Sequence, residues 1–245
     1  MPDPTRFILV QPSHPGNVGA AARAMKVMGF DDLVFVAPRD PHAAAHPEAV
    51  AMASGATDVL AGARVVATLA EALEGVTYAC ATAMTPRDFG PPTQAPRDAF
   101  AALATARHRV GFVFGGERFG LSNDDVYACH VCLSIPTAPG YGSLNLAQAV
   151  QLVAYDWRQA CGGFPVVPRT RIPEAADGVA VEGLLAHWRE MLVEIGFLDP
   201  ATPRKLLARL HRLVNRAQVT TEEVHILRGI AGQVRKIARG SSSLD

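Results

Sequence analysis

Three short blocks of the chain carry residue types that can bind an anion or align a nucleophile. In Gly140-Tyr141-Gly142-Ser143-Leu144-Asn145, two glycines and two side-chain acceptors crowd the head of an apolar periodic run. Ser and Asn accept hydrogen bonds from the unpaired amides of a first helical turn, and glycines serve the turn before it. The same amides can hold a ligand, because a helix start presents free N–H groups. A second block, His14-Pro15-Gly16-Asn17-Val18-Gly19, opens a helical stretch that carries Arg23 on its second turn. Asn17 and Arg23 either face the loop side together, or Arg23 is a solvated surface arginine. The third block, Phe114 to Ser122, sets Glu117 and Arg118 among Gly115, Gly116 and Gly120, and Ser122 reads as the cap of a helix at Asn123. No block has the G-x-G-x-x-G spacing of a dinucleotide fold or the G-K-[ST] ending of a P-loop, which disfavours nicotinamide and ATP sites.

Cys129-His130-Val131-Cys132 has the spacing of a redox pair or half a zinc site. No second CxxC completes a tetrahedral set. The expectation is buried cysteines beside a strand, and no metal.

The elements that must position these blocks follow from the apolar pattern. Short β-branched runs recur at Phe7–Val10, Leu33–Ala37, Arg64–Ala67, Val76–Ala81, Val110–Phe114 and Val131–Ile135. Helical stretches lie between them, among them Val18–Met28, Ala95–Ala106 and Leu144–Cys161. Strands that are apolar throughout and alternate with helices predict an α/β fold, a mostly parallel sheet with helices on both faces. Ligands of such sheets gather beyond the C-terminal ends of strands, where all three blocks fall.

A Gly- and Pro-rich seam follows at Cys161–Pro173, and the pattern beyond it is helical, at about Val179–Ile195, Pro203–Asn215 and Thr220–Arg239. The expected organisation is an α/β domain over 1–162, a linker over 163–178, a helical domain over 179–240 and a disordered tail over 241–245. Apolar residues make up 49% of the 245 and the formal net charge is zero. That zero hides an asymmetry: residues 1–164 carry 11 basic against 14 acidic residues, and residues 165–245 carry 12 against 9. Lys205, Arg209, Arg212 and Arg216 fall on one helical stripe, beside an apolar stripe of Leu206, Leu210, Leu213 and Ala217. That basic stripe is either a solvated face or a nucleic-acid contact. The first residues form too short an apolar run for a secretory signal, and no uncharged apolar stretch reaches membrane-spanning length. The expectation is a cytoplasmic protein without a membrane partner.

Together, N-x-G-x-x-x-R (Asn17, Gly19, Arg23), F-G-x-E-x-x-G-L-S (Phe114 to Ser122) and S-L-N-L-A-Q-A-V-Q (Ser143 to Gln151) resemble the three motifs of the SpoU branch of the SPOUT RNA methyltransferases. Order and placement after strands agree, over roughly residues 5–160. Past the seam, KLLARLHRLVNRAQVTTEEVHILRGI is similar to the C-terminal helical extension of the TrmJ-type enzymes. These transfer methyl groups to ribose 2′-hydroxyls of tRNA at nucleotide 32, a cytidine or uridine of the anticodon loop.

The resemblance implies S-adenosylmethionine as donor, a homodimer, tRNA as partner and a trefoil knot at the third motif, which no periodicity argument would propose. It implies donor contacts from Gly115, Ile135, Gly142, Ser143, Leu144 and Asn145, with a further contact at Thr82, Ala83 and Met84. It ties Arg23 to catalysis, with Asn17 orienting it and Glu117 bracing the loops. Given such a core, phosphate contact becomes the better reading of Lys205, Arg209, Arg212 and Arg216. Met84, Pro86 and Gly116 depart from the family pattern, which bears on side-chain contacts more than on backbone ones. Methylation of ribosomal RNA or another tRNA position, and a non-catalytic RNA-binding scaffold, stay open.

Overall fold

The computed structural model describes residues 4–241 except Pro86, Arg171, Pro203 and Arg204. Its contacts divide it into two compact units, one ending at Pro165 and one beginning at Val166.

The first unit is built on seven strands: β1 (Arg6–Val10), β2 (Asp32–Val36), β3 (Arg64–Val66), β4 (Tyr78–Thr82), β5 (Thr93–Gln94), β6 (Val110–Phe114) and β7 (Val131–Leu133). They lie in the order β3-β2-β1-β6-β4-β7-β5, and every pairing is parallel. Successive side chains alternate between two apolar layers. Phe7, Leu9, Phe112 and Phe114 face one, and Ile8, Val10 and Val113 face the other. The first layer is covered by α1 (Pro15–Val27), α2 (Pro47–Ala53), α3 (Thr57–Ala61), α5 (Pro96–Leu103) and α7 (Leu146–Ala160). The second is covered by the short α4 (Leu69–Ala72) and α6 (Asn123–Tyr127). β1, β6 and β7 are buried at every position and, apart from Arg6, hold no polar side chain other than a thiol, as strands covered on both faces require.

Two polar ties hold this layering. The Trp157 indole N–H donates to Thr5 Oγ1 at 2.9 Å, fixing α7 to the start of β1. The Arg158 guanidinium donates to the Met28 carbonyl at 2.7 Å and lies over the Phe30 ring, fixing α7 to the end of α1. The expected elements are present with shifted ends: β4 starts at Tyr78 rather than Val76, and β7 stops at Leu133. β5 has two residues and α2, α3 and α4 at most seven, below the length at which periodicity is visible.

The second unit holds α8 (Gly178–Glu194), α9 (Leu206–Ala217) and α10 (Thr221–Ser241) around Leu184, Val214 and Val224. Thr220 and Glu223 cap the start of α10 reciprocally, as the Thr-x-x-Glu spacing predicts. Arg235 of α10 pairs with Glu190 and Glu194 of α8, both at 2.6 Å. Residues expected as linker are held to this unit: the Ala176 amide donates to the Val219 carbonyl and the Thr221 amide to that of Glu174. The apolar face of α9 differs from the expected stripe. Val214 is its buried residue, whereas Leu213 is 46% exposed and Ala217 is exposed, because the i, i+4, i+8 row of Leu206, Leu210 and Val214 turns inward. Pro203, Pro86 and Ser242–Asp245, which also figured in those expectations, lie outside the described residues.

Gly19 has a packing reason. A Cβ at this position would run into the backbone carbonyl of Ala49, so α1 and α2 cross with no side chain between them. Gly19→Ala should therefore destabilise the first unit by about 1–3 kcal/mol, the usual cost of overpacking. Urea unfolding checks this, and an unchanged midpoint would mean that the helices do not cross so closely.

Candidate active site

The C-terminal ends of β4, β6 and β7 open on one side of the sheet, and the loops leaving them enclose a cavity of about 340 Å³. Thr82, Ala83 and Met84 line it from the first loop, Gly115 to Leu121 from the second, and Ile135, Gly142, Ser143 and Leu144 from the third. Of the residues expected to contact the donor, all but Asn145 line this cavity.

The loops approach closely because glycines stand where they meet. A Cβ on Gly115 would strike the backbone at Gly120 and Leu121, and one on Gly116 would lie 2.5 Å from the Gln11 carbonyl oxygen. The lack of a side chain at Gly116 thus has a local cause. Gly142 packs on Met84 and Thr137, so Met84 fills the space beside it. The Thr82 hydroxyl donates to the Val113 carbonyl at 2.8 Å and ties the ends of β4 and β6 together.

Asn145 has other work. Its Oδ1 accepts from the Ala147 amide at 2.9 Å and Gln148 accepts from its own amide, a reciprocal cap for α7. Its Nδ2 donates to Asn17 Oδ1 at 2.8 Å, and Asn17 Nδ2 donates to Glu117 Oε1, also at 2.8 Å. Glu117 further accepts from the Ser13 amide (3.0 Å), the Ser13 hydroxyl (2.8 Å) and the His14 amide (3.2 Å). A carboxylate among amides at the start of α1 is favoured by geometry and by the helix dipole. One hydrogen-bonded line therefore joins all three motif blocks. Of the two readings of Gly142–Asn145, capping is what Asn145 does, while Gly142, Ser143 and Leu144 line the cavity. Ser13, which anchors the line, was not singled out; it signals itself only by preceding the helix start.

Arg23 stands apart. It is exposed, does not line the cavity and makes no hydrogen bond or ion pair among the described residues. Six residues of helix put it about 9 Å along the axis from Asn17 and well round the cylinder from it. Asn17 is engaged with Glu117 and Asn145, so the expectation that it orients Arg23 is not met within this chain. In the second unit, Lys205, Arg209, Arg212 and Arg216 are exposed and form no ion pair among the described residues, whereas Arg235 and Arg239 are engaged with glutamates.

Cys80, Cys129 and Cys132 are buried thiols. Burial pushes all three up, Cys129 to about 12, which keeps them protonated and unreactive at neutral pH. His42 and His46, four residues apart, fall beside a short 3₁₀ turn, where His46 caps α2. Among the described residues no three His, Cys, Asp or Glu group to hold a metal, and no helix is long and apolar enough to cross a membrane.

This parallel α/β sheet has its second and third motif loops walling one cavity and its first motif hydrogen-bonded to both, and the chain belongs to the SpoU rRNA Methylase family, whose profile matches residues 4–155. Residues 179–243 match the C-terminal domain of the tRNA methyltransferase TrmJ. The chain is 42% identical, over 99% of its length and 98% of the relative's, to the tRNA (cytidine/uridine/adenosine-2′-O-)-methyltransferase TrmJ of Pseudomonas aeruginosa (strain UCBPP-PA14). It is similar to the crystal structure of TrmJ from Z. mobilis ZM4 with a TM-score of 0.79 and 36% identity, covering 94% of this chain and 99% of that one. The fold also matches the SpoU methyltransferase AviRb from Streptomyces viridochromogenes, solved in complex with the cofactor AdoMet (TM-score 0.52, 21% identity, 67% and 60% covered).

Burial pushes the Glu117 carboxyl up, but hydrogen bonds from Asn17 and Ser13 outweigh it and hold the group below the usual carboxylate value. A depressed folded value means that the ionised group stabilises the fold fully above the unfolded value, about 4.3, and that this is lost as pH falls through the folded one. Asn17→Ala should raise the Glu117 titration, followed by carboxyl ¹³C NMR. It should also cost about 1 kcal/mol at pH 7, a modest figure because Glu117 is exposed on one side. The cost should shrink in acid. An unmoved titration would show that the Asn17 bond does not form.

Proposed function

We propose that this chain transfers a methyl group from S-adenosylmethionine to a ribose 2′-hydroxyl of tRNA, at nucleotide 32 of the anticodon loop, in the cytoplasm. The observation that carries the reading is the cavity that the second and third motif loops form with the loop after β4, with the first motif tied to both through Asn17. Its volume falls in the range of small-molecule sites, about 300–1,000 Å³. The residues present fit the donor. Gly115 and Gly142 let the loops close tightly enough to wall the cavity, and Leu133, Ile135 and Leu144 supply an apolar wall for a flat ring. The family resemblance and the TrmJ-like C-terminal region support the tRNA substrate. We place the implied knot in the segment between β7 and α7.

When bound, S-adenosylmethionine supplies an electrophilic methyl carried on a sulfonium. The chain's own part is to aim a hydroxyl at it and to stabilise the alkoxide that develops. A guanidinium stays protonated, so Arg23 serves as an electrostatic clamp rather than a base. Because Arg23 is exposed and away from its own cavity, we infer a homodimer in which it completes the site of the other protomer. Lys205, Arg209, Arg212 and Arg216 grip phosphates of the tRNA.

Mapping 2′-O-methyl groups by mass spectrometry, in tRNA from a deletion strain and its complemented parent, tests the substrate. Loss at nucleotide 32 is expected; loss in ribosomal RNA alone, or no binding of S-adenosylhomocysteine by calorimetry, overturns the reading. Arg23→Ala should keep donor affinity and lose most turnover, and so should a donor-site variant such as Gly142→Val lose turnover. Mixed dimers of the two should regain activity, because one site then has both parts. Mixed dimers that stay inactive would put Arg23 in its own protomer's site.

Arg209→Ala with Arg212→Ala should flatten the plot of log K for tRNA against log[salt] by roughly one to two units, with donor affinity unchanged. An unchanged slope would make the stripe a wet surface.

A further inference from the structure

The turn at the rim of the cavity, Gly116 to Gly120, is closed by the Gly120 amide donating to the Gly116 carbonyl at 2.9 Å. In it Glu117 is fixed by four hydrogen bonds from Ser13, His14 and Asn17. Phe119 also lines the cavity and is nonetheless 83% exposed. The Arg118 guanidinium lies over its ring, 5.0 Å from the centroid, which occupies one face and leaves the other open. A phenyl ring kept in water forfeits its transfer free energy, and here the anchored turn keeps it there.

We propose that the open face of Phe119 stacks the base of the nucleotide whose ribose is methylated. This rests on the function proposed above. A hydroxyl that reaches a methyl held in the cavity carries its base to within one nucleotide's span of the rim, where this ring stands. Loop RNA is recognised through unstacked bases laid on aromatic rings and guanidinium planes, and Phe119 with Arg118 presents both. Stacking accepts any base, because each has a π face. A stacking platform therefore suits a site that tolerates several bases, as the name of the P. aeruginosa relative, covering cytidine, uridine and adenosine, describes for that enzyme. The ring is neutral, so its contribution is independent of salt, in contrast to that of the basic stripe.

The test compares the full-length enzyme with Phe119→Ala and Phe119→Trp on tRNA transcripts. Phe119→Ala should lose roughly tenfold to a hundredfold in kcat/KM for tRNA. Its affinity for S-adenosylhomocysteine and the salt slope of tRNA binding should stay at wild-type values. Phe119→Trp should keep activity, and its added indole emission should be quenched by tRNA. Wild-type kinetics in Phe119→Ala would overturn the proposal, as would a matching loss of S-adenosylhomocysteine affinity. A fall to monomer mass in light scattering would overturn it too, by making the ring a contact between two copies of the chain. If the wild type itself neither binds S-adenosylhomocysteine nor methylates tRNA, the functional reading fails first and takes the stacking proposal with it.

Discussion

The line from Glu117 through Asn17 to Asn145 is the interaction on which the rest of the site depends. Asn17, in the first turn of α1, lies 100 residues from Glu117 and 128 from Asn145, and each pair must still meet at 2.8 Å. Only a fold that brings the ends of β1, β6 and β7 to one edge of the sheet can make those bonds. Conversely, the bonds fix how those loops lie once the strands are in place. Glu117 accepts from the Ser13 and His14 amides just ahead of α1, and Asn145 caps α7. The cavity is walled by the loops leaving β4, β6 and β7.

Much of this was legible because each signal was local. Apolar strands between helices announce a parallel sheet, and glycines after strands mark where its loops must close. Ser122 and Thr220, each with an acid three residues on, announce the helices that they cap. The illegible parts are those decided by tertiary geometry. Whether Gly19 faces a ligand or a helix cannot be read from its neighbours; the Ala49 carbonyl decides it. Asn145 as a cap and Asn145 as a donor contact look alike in sequence, and only the position of Asn17 separates them. On α9 the basic row was clear, but an apolar row one residue away buried Val214 instead of Leu213, since periodicity fixes a face only to within one position. Arg23 was visible as a motif residue, yet nothing in the pattern says that it stands outside its own chain's cavity.

The same reasoning separates what holds the chain from what the chain holds. The buried Cys129-x-x-Cys132 pair has the spacing of a reactive site and the environment of a packed strand end, and the environment decides its chemistry. The basic residues divide in the same manner. Arg235 and Arg239 are neutralised by Glu190 and Glu194 and tie α10 to α8, so they are spent on the fold. Lys205, Arg209, Arg212 and Arg216 are exposed and pair with no acid among the described residues.

The turn from Gly116 to Gly120 shows how one constraint serves two ends. A loop carrying an exposed aromatic ring would ordinarily bury it by collapsing onto the nearest apolar surface, since that burial is favourable. Here Glu117 cannot move without breaking four hydrogen bonds, and Gly116 cannot rotate a side chain it does not have. The ring two residues on therefore stands at the mouth on an anchored turn, and a loosened anchor would disturb the rim before it disturbed the sheet.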